Sequence, residues 1–226
     1  MSLASASDLI NSFNANGGSL DATDVSIIQG TASDIESLYI LPEVVGLGNE
    51  DITLFYSFPT AALLKRIDNY TSGTIDAQLL TSIKGKASDL ITIYASSGIV
   101  GLGNEDINIT SGTASTSEAN TLIALTTGVI TATISDGDMA TLALLEGIGN
   151  ALAITVTDEV VAAAELNTLD SKTTTDLTVT SSTITGSASD LITAYAAAGS
   201  INGLGNEAIS LSDTSIDATV LLALDA

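Results

Sequence analysis

Cysteine and histidine are both missing from this chain. Their absence removes thiolate and imidazole nucleophiles, bases and metal ligands together, so zinc and haem chemistry are excluded as classes. Basic residues are scarce: there are five, of which Lys65, Arg66, Lys84 and Lys86 fall in one short stretch and Lys172 stands alone. A Lys and Arg footprint for phosphate is lacking, which argues against nucleic acid and against an anionic membrane surface as partners. Aromatics make up 4% of the residues. A core that is mostly Ala, Leu, Ile and Val without large rings implies many thin, similar layers rather than one thick centre. Apolar runs approaching the roughly 18 residues of a membrane-spanning helix are absent too.

What is present is acidity and apolar content. The formal net charge is -22 and 45% of the 226 residues are hydrophobic. That is enough apolar side chain to order the chain despite its Ser, Thr and Gly. The charge favours solubility and mutual repulsion and can attract divalent cations. Lack of cysteine fits export and cytosol alike, and the Thr, Ser, Asp and Gly content leans toward export. Met1-Ser2-Leu3 has neither the basic start nor the apolar stretch of a signal peptide and runs straight into a repeat at Ser5, the pattern expected of a piece excised from a longer protein.

Internal repeats dominate the chain. One motif reads SASDLINSF from Ser5, TASDIESLY from Thr31, KASDLITIY from Lys86 and SASDLITAY from Ser187. A second, GLGNE, begins at Gly46, Gly101 and Gly203, with a worn copy at Gly147 to Ala151 that has lost its acid. Each is followed by an alternating stretch, Ile52-Thr53-Leu54, Ile107-Asn108-Ile109, Ile154-Thr155-Val156 and Ile209-Ser210-Leu211, rich in β-branched residues and read as strand. A third motif ends at Ile67-Asp68, Leu169-Asp170 and Leu224-Asp225, and its Leu spacing reads as helix.

The ASD motif reads as a short amphipathic helix with Leu90, Ile91, Tyr94 and Ala95 apolar. Ser5 with Asp8, Thr31 with Asp34 and Ser187 with Asp190 have capping-box spacing, which Lys86 breaks. Gly98 or Gly199 would end the helix, and the Gly-Leu-Gly-Asn loop offers residues that accept positive φ. The linking stretch Ala77 to Gly85 is ambiguous between helix and strand. These signals predict an α/β fold, an elongated repeat solenoid of short parallel strands and short helices. A single array over 1–226 would hold about four repeats of about 50 residues, each of two coils, with partial repeats at both ends. The alternative is a mainly β solenoid in which the ASD units are helical turns at corners.

Two groups bear on chemistry. The loop residues Asn49, Glu50 and Asp51, then Asn104, Glu105 and Asp106, then Asn206 and Glu207 supply the hard oxygen atoms that Ca²⁺ takes. The competing reading is a turn that tolerates solvated acids, favoured by Ala208 where Asp is expected and by the lack of an EF-hand or nonapeptide pattern. Paired carboxylates could hydrolyse glycosides, yet acids that recur in every repeat lack the singularity of a catalytic pair. The tyrosines Tyr39, Tyr94 and Tyr195 recur at one helix position, as packing residues do. The expectation is no enzyme and no resident cofactor, with Ca²⁺ as the one candidate ion.

The combined pattern of GTASD, GLGNE and L-x-x-LD, clearest in GSASDLITAYAAAGSINGLGNEAISLSDTSIDATVLLALD from Gly186 to Asp225, resembles repeats of the very large secreted cell-surface proteins of marine cyanobacteria. The resemblance covers most of the chain and weakens from Ser111 to Asn150. It implies an extracellular surface module, in some members linked to motility or adhesion, and brings no catalytic residues. A structural spacer, surface-layer or adhesin-like stalk is therefore expected, ahead of a calcium-stiffened adhesin segment and a carbohydrate-binding or carbohydrate-active solenoid. Self-association through uncapped solenoid ends and contact with surface glycans are the partner expectations.

Overall fold

The computed structural model describes residues 2–224. It is mixed α/β, and the strand pairings whose register is described are parallel. Contacts divide the chain into two compact units, Met1–Ser111 with Ala124–Gly128, and Gly112–Ile123 with Val129–Ala226. Asp225 of the third motif lies outside the described residues.

In the first unit, Ser2–Ser5, Val25–Gly30, Asp51–Leu54, Ile75–Asp76 and Ile99–Val100 form one sheet in that order. Partners stand about one strand-plus-helix segment apart: Ile28 pairs with Ile52, Ile52 with Ile75, and Ile75 with Ile99, offsets of 24, 23 and 24 residues. Ser82–Gly85 pairs with Asp106–Ile109 in the same manner, Ile83 beside Ile107. These isoleucines stack on one another and are buried, which is why β-branched residues recur at that position. The helices Ala6–Ala15, Ala32–Tyr39, Ala61–Asp68 and Ala87–Tyr94 pack each on the next.

In the second unit, Val160–Ala162, Thr183–Gly186 and Ala208–Leu211 form one sheet, and Thr155–Val156, Leu177–Val179 and Ile201–Asn202 another. Ile130–Thr133 pairs with Ala151–Ala153 at the shortened offset of 20, Ala132 beside Leu152. Its helices are the four-residue Met139–Leu142, Ala163–Asp170, Ala188–Ala196 and Ala218–Leu224, together with Thr116–Leu125 except for its last two residues, which belong to the first unit.

The α/β expectation holds and the mainly β alternative does not, because the ASD units are helices of eight to ten residues rather than corner turns. Their buried rows are Ala32, Ile35 and Leu38; Ala87, Leu90 and Ile93; and Ala188, Leu191 and Ala194. Ile91 and Ala95 therefore lie off the core, since a three-residue step tracks one narrow face of so short a helix. The ambiguous linking stretch resolves into a turn over its first residues, 77–81, and a strand, Ser82–Gly85, whose backbone bonds the next segment. Gly98 does not end a helix: Ala87–Tyr94 stops at an Ala95 C-cap with αR geometry. A Cβ at Gly98 would come within 2.3 Å of the Asp68 carboxylate, which would have to move aside.

Capping follows the sequence in part. Thr31 and Ser187 accept the Asp34 and Asp190 N–H groups at 3.2 Å and donate to the same aspartates. Lys86 provides no side-chain cap. Ser5 departs from expectation, since its hydroxyl bonds Ser7 and leaves the helix start uncapped. The degraded stretch hides a complete box in which the Ser115 Oγ accepts from the Glu118 N–H while the Glu118 carboxylate accepts the Ser115 N–H at 2.9 Å.

Candidate functional site

The GLGNE glutamates lie inside the protein. Glu50 and Glu105 are fully buried, whereas Asn49, Asp51, Asn104 and Asp106 beside them are exposed. Burial of a carboxylate demands hydrogen-bond donors, and the local fold provides them. The loop glycines Gly48 and Gly103 have φ of 128° and 137°, a region few other residues tolerate. That turn aims their N–H groups at both oxygens of Glu50 and Glu105, at 2.9 to 3.1 Å. The second donor is distant in sequence. Tyr39 at the end of its ASD helix donates its hydroxyl to Glu50 at 2.6 Å, and Tyr94 donates to Glu105 at 2.7 Å.

The same arrangement recurs at Tyr195, whose hydroxyl donates to Glu207, with Gly205 N–H at 2.8 Å from that carboxylate and the Asn206 N–H at 2.9 Å. Here the glutamate is half-buried and Asn206 exposed. Burial, then the hydrogen bond to the carboxylate and its negative charge, push all three phenols far above their ordinary value. Burial also acts to raise Glu207, but the bonds from Tyr195, Gly205 and Asn206 outweigh it and hold the carboxyl below the usual range.

Each buried loop is also gripped from the following segment. The Thr71 hydroxyl donates to the Glu50 carbonyl at 2.7 Å, and the Thr126 hydroxyl donates to the Glu105 carbonyl at 2.7 Å. The same hydroxyls accept the N–H groups of Gly73 and Gly128 at 2.9 and 3.0 Å. A Cβ on either glycine would stand 2.2 Å from the glutamate carbonyl oxygen, so only glycine fits. Tyr39 in addition stacks on Tyr70, ring centres 5.4 Å apart.

The worn copy shows what happens when the brace is absent. Thr173 grips the Leu152 carbonyl at 2.8 Å, just as Thr71 grips Glu50, each 21 residues along. The buried Leu152, not Ala151, therefore occupies the glutamate's place, and the loop has one additional residue. Counted from the cap, Asp138 here and Lys86 in the intact copy, the tyrosine position becomes the exposed Glu146. Both partners are replaced together, and the matching glycine becomes Thr175.

The calcium candidates are thus split between two environments. Glu50, Glu105 and Glu207 accept internal donors, which also overturns the reading of the loop acids as wholly solvated. Asp51 accepts the Thr74 N–H at 2.8 Å. Among the described residues no three Asp or Glu converge as a metal-holding group. Signals in the sequence, an eleven-residue Tyr-to-Glu spacing at Tyr39 and Tyr94 and a T-x-G beginning 21 residues after Glu50 and Glu105, could have exposed the brace, but tyrosine recurrence alone reads as packing.

Other candidates are simpler. Lys172 donates its ammonium to the Ala143 carbonyl at 3.2 Å and to that of Leu145, satisfying the end of the four-residue helix. It lines an apolar recess of about 220 Å³ with Ala164, Glu165 and Leu169. No helix among the described residues is long and apolar enough to cross a membrane. No family model, curated protein or solved structure matches the chain.

Proposed function

We propose that this chain is a non-catalytic structural repeat module of a large extracellular or cell-surface protein, serving as a spacer, surface-layer or adhesin-like stalk. The observation that carries the reading is the use of the motif acids: Glu50 and Glu105 each accept a tyrosine and the backbone of their own loop, and Glu207 repeats the arrangement. A brace built identically in successive segments holds chain in place. A catalytic pair would instead be singular, set in a cleft, with its carboxyls accessible to a substrate. The net charge of -22 suits a module that must remain dispersed. The likeness to cyanobacterial surface repeats supports placement outside the cell.

Calorimetry of the intact chain in millimolar calcium, against sodium chloride of equal ionic strength, tests the spacer reading. The expected result is one melting temperature in both, because a ligand that binds only the folded form must raise it. A calcium-specific rise would replace this reading with a calcium-stiffened adhesin segment, and glycoside turnover abolished by Glu105→Gln would replace it with an enzyme. Antibody against the chain is expected to label intact, unpermeabilised cells; labelling only after permeabilisation would overturn the surface assignment.

A further inference from the structure

Of eight aromatic residues, five Tyr and three Phe, three lie within Phe55 to Pro59, the stretch joining the strand Asp51–Leu54 to the helix Ala61–Asp68. They face solvent: Phe55, Tyr56 and Phe58 are 38%, 70% and 69% exposed. The repeat shows that folding does not ask for them. The equivalent six residues before the next helix of this kind are Thr110 to Ser115, placing Thr110, Ser111 and Thr113 where the three rings stand, with Ser115 capping as Thr60 does. In the last copy the same places hold Ser212, Asp213 and Ser215. Only the buried position stays apolar, Pro59 here and Ala114 there.

The loop is held firmly at both ends. The Phe55 N–H donates to the Gly30 carbonyl at 2.8 Å, and the Pro59 carbonyl accepts the Lys84 N–H at 3.1 Å. Thr60 and Lys84 are bridge partners, so this exposed lysine stands beside the aromatic loop, in the stretch that holds four of the chain's five cations. Lys65 and Arg66 of that stretch already pair with Asp89 and Glu36. Aromatic faces carry negative charge density that attracts the C–H face of a flat, partly apolar ring, and an ammonium beside them selects for an anion.

We propose that Phe55, Tyr56 and Phe58 with Lys84 form a docking platform for an acidic polysaccharide, the rings stacking on sugar faces and the lysine meeting a uronate or sulfate. A five-residue loop offers far less than the roughly 800 Å² per partner of a stable protein interface, but it is enough for a few sugar rings. An anionic lipid surface is disfavoured because it is recognised by clusters of about four to eight Lys or Arg, whereas the cation that bridging places beside this loop is the single Lys84.

The test is calorimetric titration of the intact chain with alginate oligosaccharides, neutral dextran and phosphatidylcholine vesicles at low and moderate salt. Saturable binding to alginate, weaker with salt and absent for dextran, is expected. The triple variant Phe55→Thr, Tyr56→Ser, Phe58→Thr carries residues already present in the next copy, so it should melt as the parent does while losing at least about tenfold in affinity. Lys84→Gln should lower affinity several-fold and flatten the salt dependence. Failure to bind alginate, or alginate binding unchanged in the triple variant, overturns the proposal. Vesicle binding, or self-association by light scattering, that the triple variant abolishes in place of alginate binding would overturn it too.

Discussion

At the scale of single residues, stability is concentrated in a few buried polar groups. Tyr94→Phe removes one of the donors to a carboxylate with no access to water, and should cost about 1–3 kcal/mol in urea unfolding. The worn copy indicates how that loss can be made good. A chain carrying Tyr94→Phe together with Glu105→Leu places apolar groups at both ends, as Leu152 does at one, and its cost should fall below the sum of the single variants by more than about 0.5 kcal/mol. Strict additivity would mean the two side chains do not act as a pair. Gly128→Ala is harsher, because its Cβ would stand 2.2 Å from the Glu105 carbonyl oxygen and 2.7 Å from the Asp106 nitrogen. Backbone must move, and a loss of about 3 kcal/mol is expected. The phenols add a pH signature. Tyr39, Tyr94 and Tyr195 hold their protons more tightly folded than unfolded, so their contribution is complete below about pH 10, the ordinary phenol value, and is lost as pH rises through the raised folded value. Glu207 works in the opposite sense, its contribution present above the ordinary carboxylate value and lost as pH falls through its lowered folded value. Unfolding followed from pH 9 to 12 should show stability declining from about pH 10, and the Tyr94→Phe variant should decline less steeply.

At the scale of elements, the helices differ chiefly in how they begin. Ser187 and Thr31 close boxes with the aspartate three residues on, whereas Lys86 faces an Asp89 already in position but offers no acceptor. Lys86→Ser should therefore complete a box and raise stability by about 1 kcal/mol, and Ser187→Ala should lower it by a similar amount, both read from thermal melts. A Lys86→Ser chain no more stable than the parent would show that the Lys86 stem or its charge compensates. The same elements mark how far the sequence could be read. Periodicity and caps disclose the ASD helices and the strands after GLGNE because those signals are local. The linking stretch from Ala77 to Gly85 escapes it because Ser82–Gly85 is strand only through pairing with residues 24 positions away. The brace escapes it for a similar reason: Tyr94 and Glu105 look like a packing aromatic and a solvated acid until the turn at Gly103 folds the loop back on the helix end.

At the scale of the whole molecule, electrostatics is one-sided. Twenty-seven acids face five cations. Among the described residues two surface ion pairs are present, Lys65 with Asp89 at 3.5 Å and Arg66 with Glu36 at 2.5 Å. Exposed pairs of this kind contribute about 0–1 kcal/mol each, and salt weakens them. Repulsion among the unmatched acids is weakened by the same salt, and it is stronger in the folded chain, where the same charges stand closer together than in the expanded one. The two effects have opposite signs, so a salt series decides between them. Raising sodium chloride from about 0.01 M to about 0.5 M shortens the Debye length from about 30 Å to a few ångströms, which quenches long-range repulsion first. The melting temperature should therefore climb over that range and then level off. A melting temperature that falls from the outset would mean the Lys65 and Arg66 pairs outweigh the remaining acids, and Arg66→Gln would then remove most of the fall. The exposed Asp51 adds to the general field of the surface besides accepting the Thr74 N–H, a bond that an Asn side-chain oxygen can also accept, so Asp51→Asn should stabilise slightly at low salt and lose that effect at about 0.5 M, when the field it relieves has been screened.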